Sequence, residues 1–174
     1  YASPFNKERA LVFTLDGEGD GFCASVNIFH DREIKCLART DNADSLGLVY
    51  ARLTKFFGMK SNEHEYKIMG LAPYAKKRHV DKVYQKIKNL VILNPQNPLN
   101  FRAKFDTHQA YRYLRKEMEG FRFDNIAGAF QKLVEERTCE WVQAAIEKTK
   151  IRTVILSGGV FMNVKANQKI ADLP

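Results

Sequence analysis

Three short stretches of this sequence concentrate residues able to do chemistry. In Asp16-Gly17-Glu18-Gly19-Asp20, carboxylates alternate with glycines at the end of an apolar run. Glycine lets the backbone turn tightly, so such a loop can hold a divalent metal or set a carboxylate against a phosphate-bound ion. A plain turn whose acids face water has the same composition. Leu156-Ser157-Gly158-Gly159-Val160-Phe161-Met162-Asn163 runs from an apolar strand through paired glycines into a helix that Asn163 can cap. Free amides at such a helix start can receive a phosphate or a ribose at close approach. The stretch has neither the lysine of a P-loop nor the third glycine of a dinucleotide fingerprint, and a turn set by tight packing is the alternative. Glu63-His64-Glu65-Tyr66-Lys67 is the third. Lys67 can neutralise phosphate charge and Glu65 can hold that lysine by pairing with it, although exposed polarity explains the composition as well. His30, His64, His79 and His108 show no paired metal-ligand spacing. No nucleophilic triad can be assembled from spacing, because triad members need not be close in sequence.

The elements that must position these residues follow from hydrophobic pattern. Ala10–Leu15 reads as a strand ending at the acidic loop. Phe22–Phe29 and Glu33–Arg39 read as two more, joined by a hairpin at His30-Asp31-Arg32. Leu46, Val49, Leu53, Phe56 and Phe57 recur at helical spacing behind a cap at Asp44 or Ser45, with Gly58 as terminator. From Lys60 to Lys76 the pattern has no clean period and contains Gly70 and Pro73, which suggests an ordered loop with one turn of helix. Val80–Leu93 reads as helix, broken by Asn94-Pro95-Gln96-Asn97-Pro98, and 106–118 as a short charged helix. The strongest helix spans Asn125 to Lys148, with one broad apolar stripe. Thr153–Leu156 then reads as a buried strand, and helix, strand, Gly-Gly turn and helix make an α/β crossover unit. This divides the chain into a β meander plus helix (1–60), an irregular and helical insertion (61–123) and the crossover unit (124–174).

Bulk properties narrow the function classes. With 174 residues, 45% of them hydrophobic, the chain is sized for one domain with a real core. It starts without methionine and stops as a helix is under way, so both ends read as cut. No apolar stretch reaches the roughly 20 residues a membrane span needs. Cys23, Cys36 and Cys139 are odd in number and set among apolar neighbours. They read as reduced, partly buried thiols of a cytoplasmic protein. The net charge is +8, with 28 basic and 20 acidic residues. The basic positions lack the interleaved aromatics of a base-stacking platform, which favours a solvated surface or the flank of a phosphate-handling cleft over nucleic acid.

Four segments taken together resemble the N-terminal domain of the NodU/CmcH carbamoyltransferase family. They are Asp16–Asp20, Ser45-Leu46-Gly47-Leu48-Val49-Tyr50, Glu65-Tyr66-Lys67-Ile68-Met69-Gly70-Leu71-Ala72-Pro73-Tyr74, and Ser157–Asn163. The resemblance covers nearly the whole chain, and the Glu65–Tyr74 segment is its most specific part. It implies an α/β fold that is a fragment of a two-lobed, ribonuclease H-like domain related to acetate and sugar kinases, Hsc70 and actin. It also implies an ATP-dependent O-carbamoyltransferase, which passes carbamoyl from carbamoyl phosphate through a carbamoyl-adenylate to a hydroxyl of a small molecule. The cofactors implied are ATP and a divalent metal, iron by expectation, with magnesium accompanying the nucleotide.

Carried over by position, Asp16 resembles a catalytic carboxylate that contacts metal or nucleotide phosphate. Gly17, Gly158 and Gly159 resemble nucleotide-binding turns, Asn163 caps the helix beside them, and Glu65 and Lys67 border the same cleft as catalytic residues. Asp20 stands where the family typically has Glu, and Ala75 where it has Gly. The family's His-x-x-x-His pair is expected before Tyr1 and its late Gly-Asp metal segment after Pro174, with the adenylate-forming domain also outside. The chain alone is therefore expected to be inactive and to need the remaining lobes of the same polypeptide. Faces meant for those lobes invite self-association. The rival readings are a tRNA threonylcarbamoyl-transfer domain, a sugar-type kinase and a non-catalytic nucleotide-binding domain.

Overall fold

A computed structural model describes residues 9–174; the first eight residues of the segment assigned to the meander lie outside the described residues. Strands β1 (Ala10–Leu15), β2 (Phe22–His30) and β3 (Glu33–Asp41) form an antiparallel meander. Asp31 and Arg32 make the β2–β3 turn, both with positive φ, as a two-residue hairpin loop requires. Helices α1 (Leu46–Phe56), α2 (Glu65–Leu71) and α3 (Lys77–Ile87) follow. A second hairpin, β4 (Val91–Asn94) and β5 (Asn97–Ala103), leads to α4 (Ala110–Glu117), α5 (Phe123–Thr149), β6 (Val154–Ser157) and α6 (Val164–Ala171). The main sheet is mixed, in the order β3-β2-β1-β6, with β6 parallel to β1. The architecture is α/β.

Alternation along β1 decides which face packs. Leu11, Phe13 and Leu15 are fully buried on one side, and Val12 and Thr14 half-buried on the other. Trp141 of α5 fills the space above Phe13, edge-on at 4.9 Å between ring centroids, and also meets Phe101 of β5 at 4.8 Å. Its indole N–H donates to the Leu99 carbonyl at 2.7 Å. One side chain thus ties the long helix to both sheets. Across the other face runs a polar set, in which Thr14 and Ser25 hydroxyls lie 2.7 Å apart and Asn27 donates to Ser25 and to the Val12 carbonyl. These buried polar groups are mutually satisfied, which removes the cost of burying them.

Three expectations need correction. The span Val80–Leu93 is not one helix: α3 ends at Ile87, and Val91–Asn94 is a strand paired with Asn97–Ala103. A short apolar run carries no period that separates helix from strand. The pairing is settled by distant partners, since the Phe101 amide donates to Thr40 Oγ1 and the Ala103 amide to the Asp44 carboxylate. The Pro95-Gln96 break is the hairpin's turn, where the Gln96 amide donates to the Asn94 side chain. Second, Lys60–Lys76 holds more helix than one turn. Helix α2 runs seven residues and continues into a 3₁₀ turn at Ala72–Tyr74, anchored by fully buried Ile68. Among the thiols, Cys23 is buried and Cys139 half-buried, but Cys36 is exposed because it lies on edge strand β3. Burial pushes the Cys23 thiol up to about 11, so it stays protonated and inert.

Candidate functional site

Because β1 and β6 are adjacent and parallel, the loops leaving their C-terminal ends emerge side by side, the usual place for ligands in such sheets. One carries Asp16 and the other Gly158-Gly159. The Gly159 N–H donates to Asp16 Oδ1 at 2.7 Å, so the carboxylate holds the Gly-Gly turn to β1. The approach is too close for side chains. A Cβ at Gly158, whose φ is +106°, would lie 2.4 Å from the Leu15 carbonyl oxygen. One at Gly47, in the first turn of α1, would lie 2.3 Å from the Asp16 carbonyl oxygen. Ser45 completes the junction: its hydroxyl donates to the Gly17 carbonyl and caps α1 by accepting from the Leu48 amide at 3.0 Å. Asp16 is thus gripped by glycines from two directions while its side chain stays exposed.

These loops form one end of a cleft of about 550 Å³. It is lined further by Tyr50 and Arg52 of α1, Glu65 and Met69 of α2, and Val134 of α5. Of the residues expected at the site, Asp16, Gly17, Glu65, Gly159 and Asn163 line this cleft. Gly158 lies directly behind it, against Leu15 and Asp16. Lys67 does not line it: the side chain is exposed and its ammonium sits 5.8 Å from the Tyr66 ring centroid. Nor does Glu65 pair with Lys67; its carboxylate accepts from the Asn62 amide at 2.7 Å and so fixes the turn into α2. Side chains two apart on a helix point to different sides, which is why this pair separates.

Asn163 does cap α6, accepting from the Ala166 amide at 3.2 Å. Its carboxamide also makes a reciprocal pair with Gln131 of α5, at 3.0 and 2.9 Å. Gln131 bonds in turn to Glu135. Most of the polar capacity of Asn163 is therefore spent positioning α6. Gln131, Arg52 and Tyr50 escaped the sequence reading. Tyr50 stood inside a recognised segment without a role, and a cation or amide on a helix has no local signature.

The cleft's charge is lopsided. Asp16, Glu18, Glu63 and Glu65 line it with Arg52 as the single cation among the described residues. A polyphosphate entering such a site needs an accompanying cation. Among the described residues no group of three or more His, Cys, Asp or Glu is arranged to hold a metal ion. Asp16 can offer one carboxylate, already shared with the Gly159 amide, so these residues do not by themselves fit the expected iron centre.

The acidic loop has its own tether. His108 bridges two carboxylates, with Nδ1 2.7 Å from Asp106 and Nε2 3.1 Å from Glu18. Asp106 foremost, and then Glu18, hold the imidazole pKa above its ordinary 6.5.

The profile of the family described as carbamoyltransferase N-terminus matches residues 1–173. The chain belongs to this carbamoyltransferase N-terminal family. It is 29% identical over 188 residues to an uncharacterised protein of Methanocaldococcus jannaschii, covering 98% of this chain and 30% of that protein. It is 28% identical over 170 residues to the nodulation protein NolNO of Sinorhizobium fredii, covering 94% of this chain and 24% of that protein. The nodulation protein NolO of Bradyrhizobium diazoefficiens is 24% identical over 169 residues, covering 94% and 30%. This carbamoyltransferase N-terminal chain thus spans about a third or less of the length of these relatives. No helix among the described residues is long and apolar enough to cross a membrane.

Proposed function

We propose that this chain forms the nucleotide-facing wall of an ATP-dependent O-carbamoyltransferase with an actin-like, two-lobed fold. In that reading, water releases phosphate from carbamoyl phosphate to leave carbamate, whose oxygen displaces pyrophosphate from ATP to give a carbamoyl-adenylate. The hydroxyl of a small molecule then attacks the carbamoyl carbon, losing its proton as AMP leaves. The observation that carries the proposal is the cleft where Asp16 and the Gly158-Gly159 turn meet at the ends of two parallel strands, in a chain of the carbamoyltransferase N-terminal family. Adenylation supplies a good leaving group, so the protein's task is positioning and charge control.

Each residue then has a defined task. The Gly turn lets the nucleotide approach the backbone closely, with Asp16 fixing that turn and facing the cation that accompanies the phosphates. Arg52 supplies positive charge from α1, and Glu65 holds the entry to α2. The remaining lobes of the polypeptide supply carbamoyl activation and any metal centre. The test is product analysis with the full-length polypeptide that contains this chain, ATP, carbamoyl phosphate and a panel of small alcohols. Carbamoyl ester formed only when both phosphates are present supports the reading. ADP formed without carbamoyl phosphate assigns a kinase instead, and a threonylcarbamoyl product on tRNA assigns the related tRNA-modifying activity.

A further inference from the structure

Helix α2 and the 3₁₀ turn that extends it bury one side through Ile68 and Ala72 and leave the other open. Tyr66, Gly70 and Tyr74 follow one another at intervals of four and so share that open face. The two tyrosines are 61% and 77% exposed, and Lys67 beside them is exposed too. Large rings gathered on a surface mark a place where something docks. Gly70 points the same way. Glycine inside a helix gives up stability, yet a Cβ here would meet nothing within 4 Å. No contact among the described residues requires the glycine. Bare backbone between two exposed rings lets a surface from outside approach closely.

Charge and position narrow the occupant. Lys76 and Lys77 come directly after the stripe and are exposed. Neither they nor Lys67 form an ion pair among the described residues, whereas Lys60, before the helix, is paired with Glu63. Three open ammonium groups beside neutral rings complement a surface of carboxylates. The stripe is also continuous with the cleft, because Tyr66 belongs to both. This chain accounts for between 24% and 30% of the length of the three relatives named above. A further lobe that reaches the cleft past Tyr66 meets the rest of the stripe.

We propose that the Tyr66–Gly70–Tyr74 stripe is the docking face for a carboxylate-bearing surface of another lobe of the same polypeptide, which rests on the reading above that further lobes complete this cleft. The rings pack on that surface, its backbone comes down on Gly70, and its carboxylates pair with Lys67, Lys76 and Lys77.

The experiment is hydroxyl-radical footprinting of the full-length polypeptide, read by mass spectrometry, for wild type and Gly70→Leu. In wild type, Tyr66 and Tyr74 should be oxidised as slowly as Tyr50 and Tyr84, which are buried within this chain. The leucine enters open space here, so Tyr50 and Tyr84 should stay slow in the variant while Tyr66 and Tyr74 lose their protection. A carbodiimide, which couples amines to carboxylates in contact, should join Lys67, Lys76 or Lys77 to acidic residues outside 1–174 of the same molecule. Tyr66 and Tyr74 oxidised well above the buried pair in wild type, or slow and unchanged in Gly70→Leu, overturns the face. Links between isotope-labelled and unlabelled copies assign a second copy instead, and protection that appears only when tRNA is added assigns nucleic acid; either overturns the proposal. A polypeptide that makes carbamoyl ester with both rings unprotected loses the face and keeps the function. Protected rings in one that makes no ester keep the face and overturn the function.

Discussion

The Gly159 amide and the Asp16 carboxylate meet at 2.7 Å although 143 positions separate them in the chain. Neither residue reaches the other through its own element. Parallel pairing of Leu11–Thr14 with Val154–Ser157 brings the two strand ends into line, and bare glycines allow the final approach. The site therefore depends on the register of one strand pair.

Glycine substitutions should report this dependence. Gly47→Ala places a Cβ against the Asp16 backbone and should destabilise the fold by about 1–3 kcal/mol, the usual cost of overpacking. Gly70→Ala is the control, because a Cβ there meets nothing within 4 Å inside α2. That change should stabilise by about 0.5–1 kcal/mol through helix propensity. Urea denaturation of the two variants measures both signs.

Trp141 should carry a large share of the packing. Trp141→Ala removes a fully buried indole that touches Phe13 and Phe101, with an expected loss of about 3–5 kcal/mol. Trp141→Phe should lose less, since it gives up the bond to Leu99 and part of the volume. Chemical denaturation monitored by circular dichroism resolves the order.

Protonation should set how firmly the acidic loop is held. The folded-state pKa of His108 is raised, first by Asp106 and then by Glu18, so its stabilising bridge is fully present below the ordinary value of 6.5 and is lost as pH rises through the higher folded value. Nuclear magnetic resonance titration of His108 should show that raised midpoint, with Glu18 amide shifts following the same curve. His108→Gln should flatten the Glu18 curve. A midpoint at or below 6.5 contradicts the bridge.

Much of this arrangement was legible in the sequence because it was written locally. The apolar run Ala10–Leu15 ending at Asp16, the hairpin at Asp31-Arg32, the Ser45 cap and the stripe of α5 each rest on a period or a turn residue within one element. What escaped depended on distant contacts. Strand β5 is fixed by Thr40 and Asp44, and α2 by burial of Ile68 against other elements. In the site, Asp16 and the Gly-Gly turn could be named from their types and neighbours. Lys67 does not line the cleft, because a residue on a short helix can face either way and α2 turns it to solvent. Arg52 and Tyr50 gain meaning only from the cleft opposite them.

In the proposed reading, Asp16 and the Gly-Gly turn organise the nucleotide site of a carbamoyltransferase. The most direct test measures ATP-dependent carbamoyl transfer by the full-length polypeptide, wild type against Asp16→Asn, from radiolabelled carbamoyl phosphate to a small alcohol. Asn can still accept from the Gly159 amide, so the fold and Tm should be kept while the negative charge is lost. Transfer should fall by at least about 10-fold, the scale of one charge-assisted interaction, and ATP binding should depend less on magnesium. Unchanged transfer in Asp16→Asn would contradict the account.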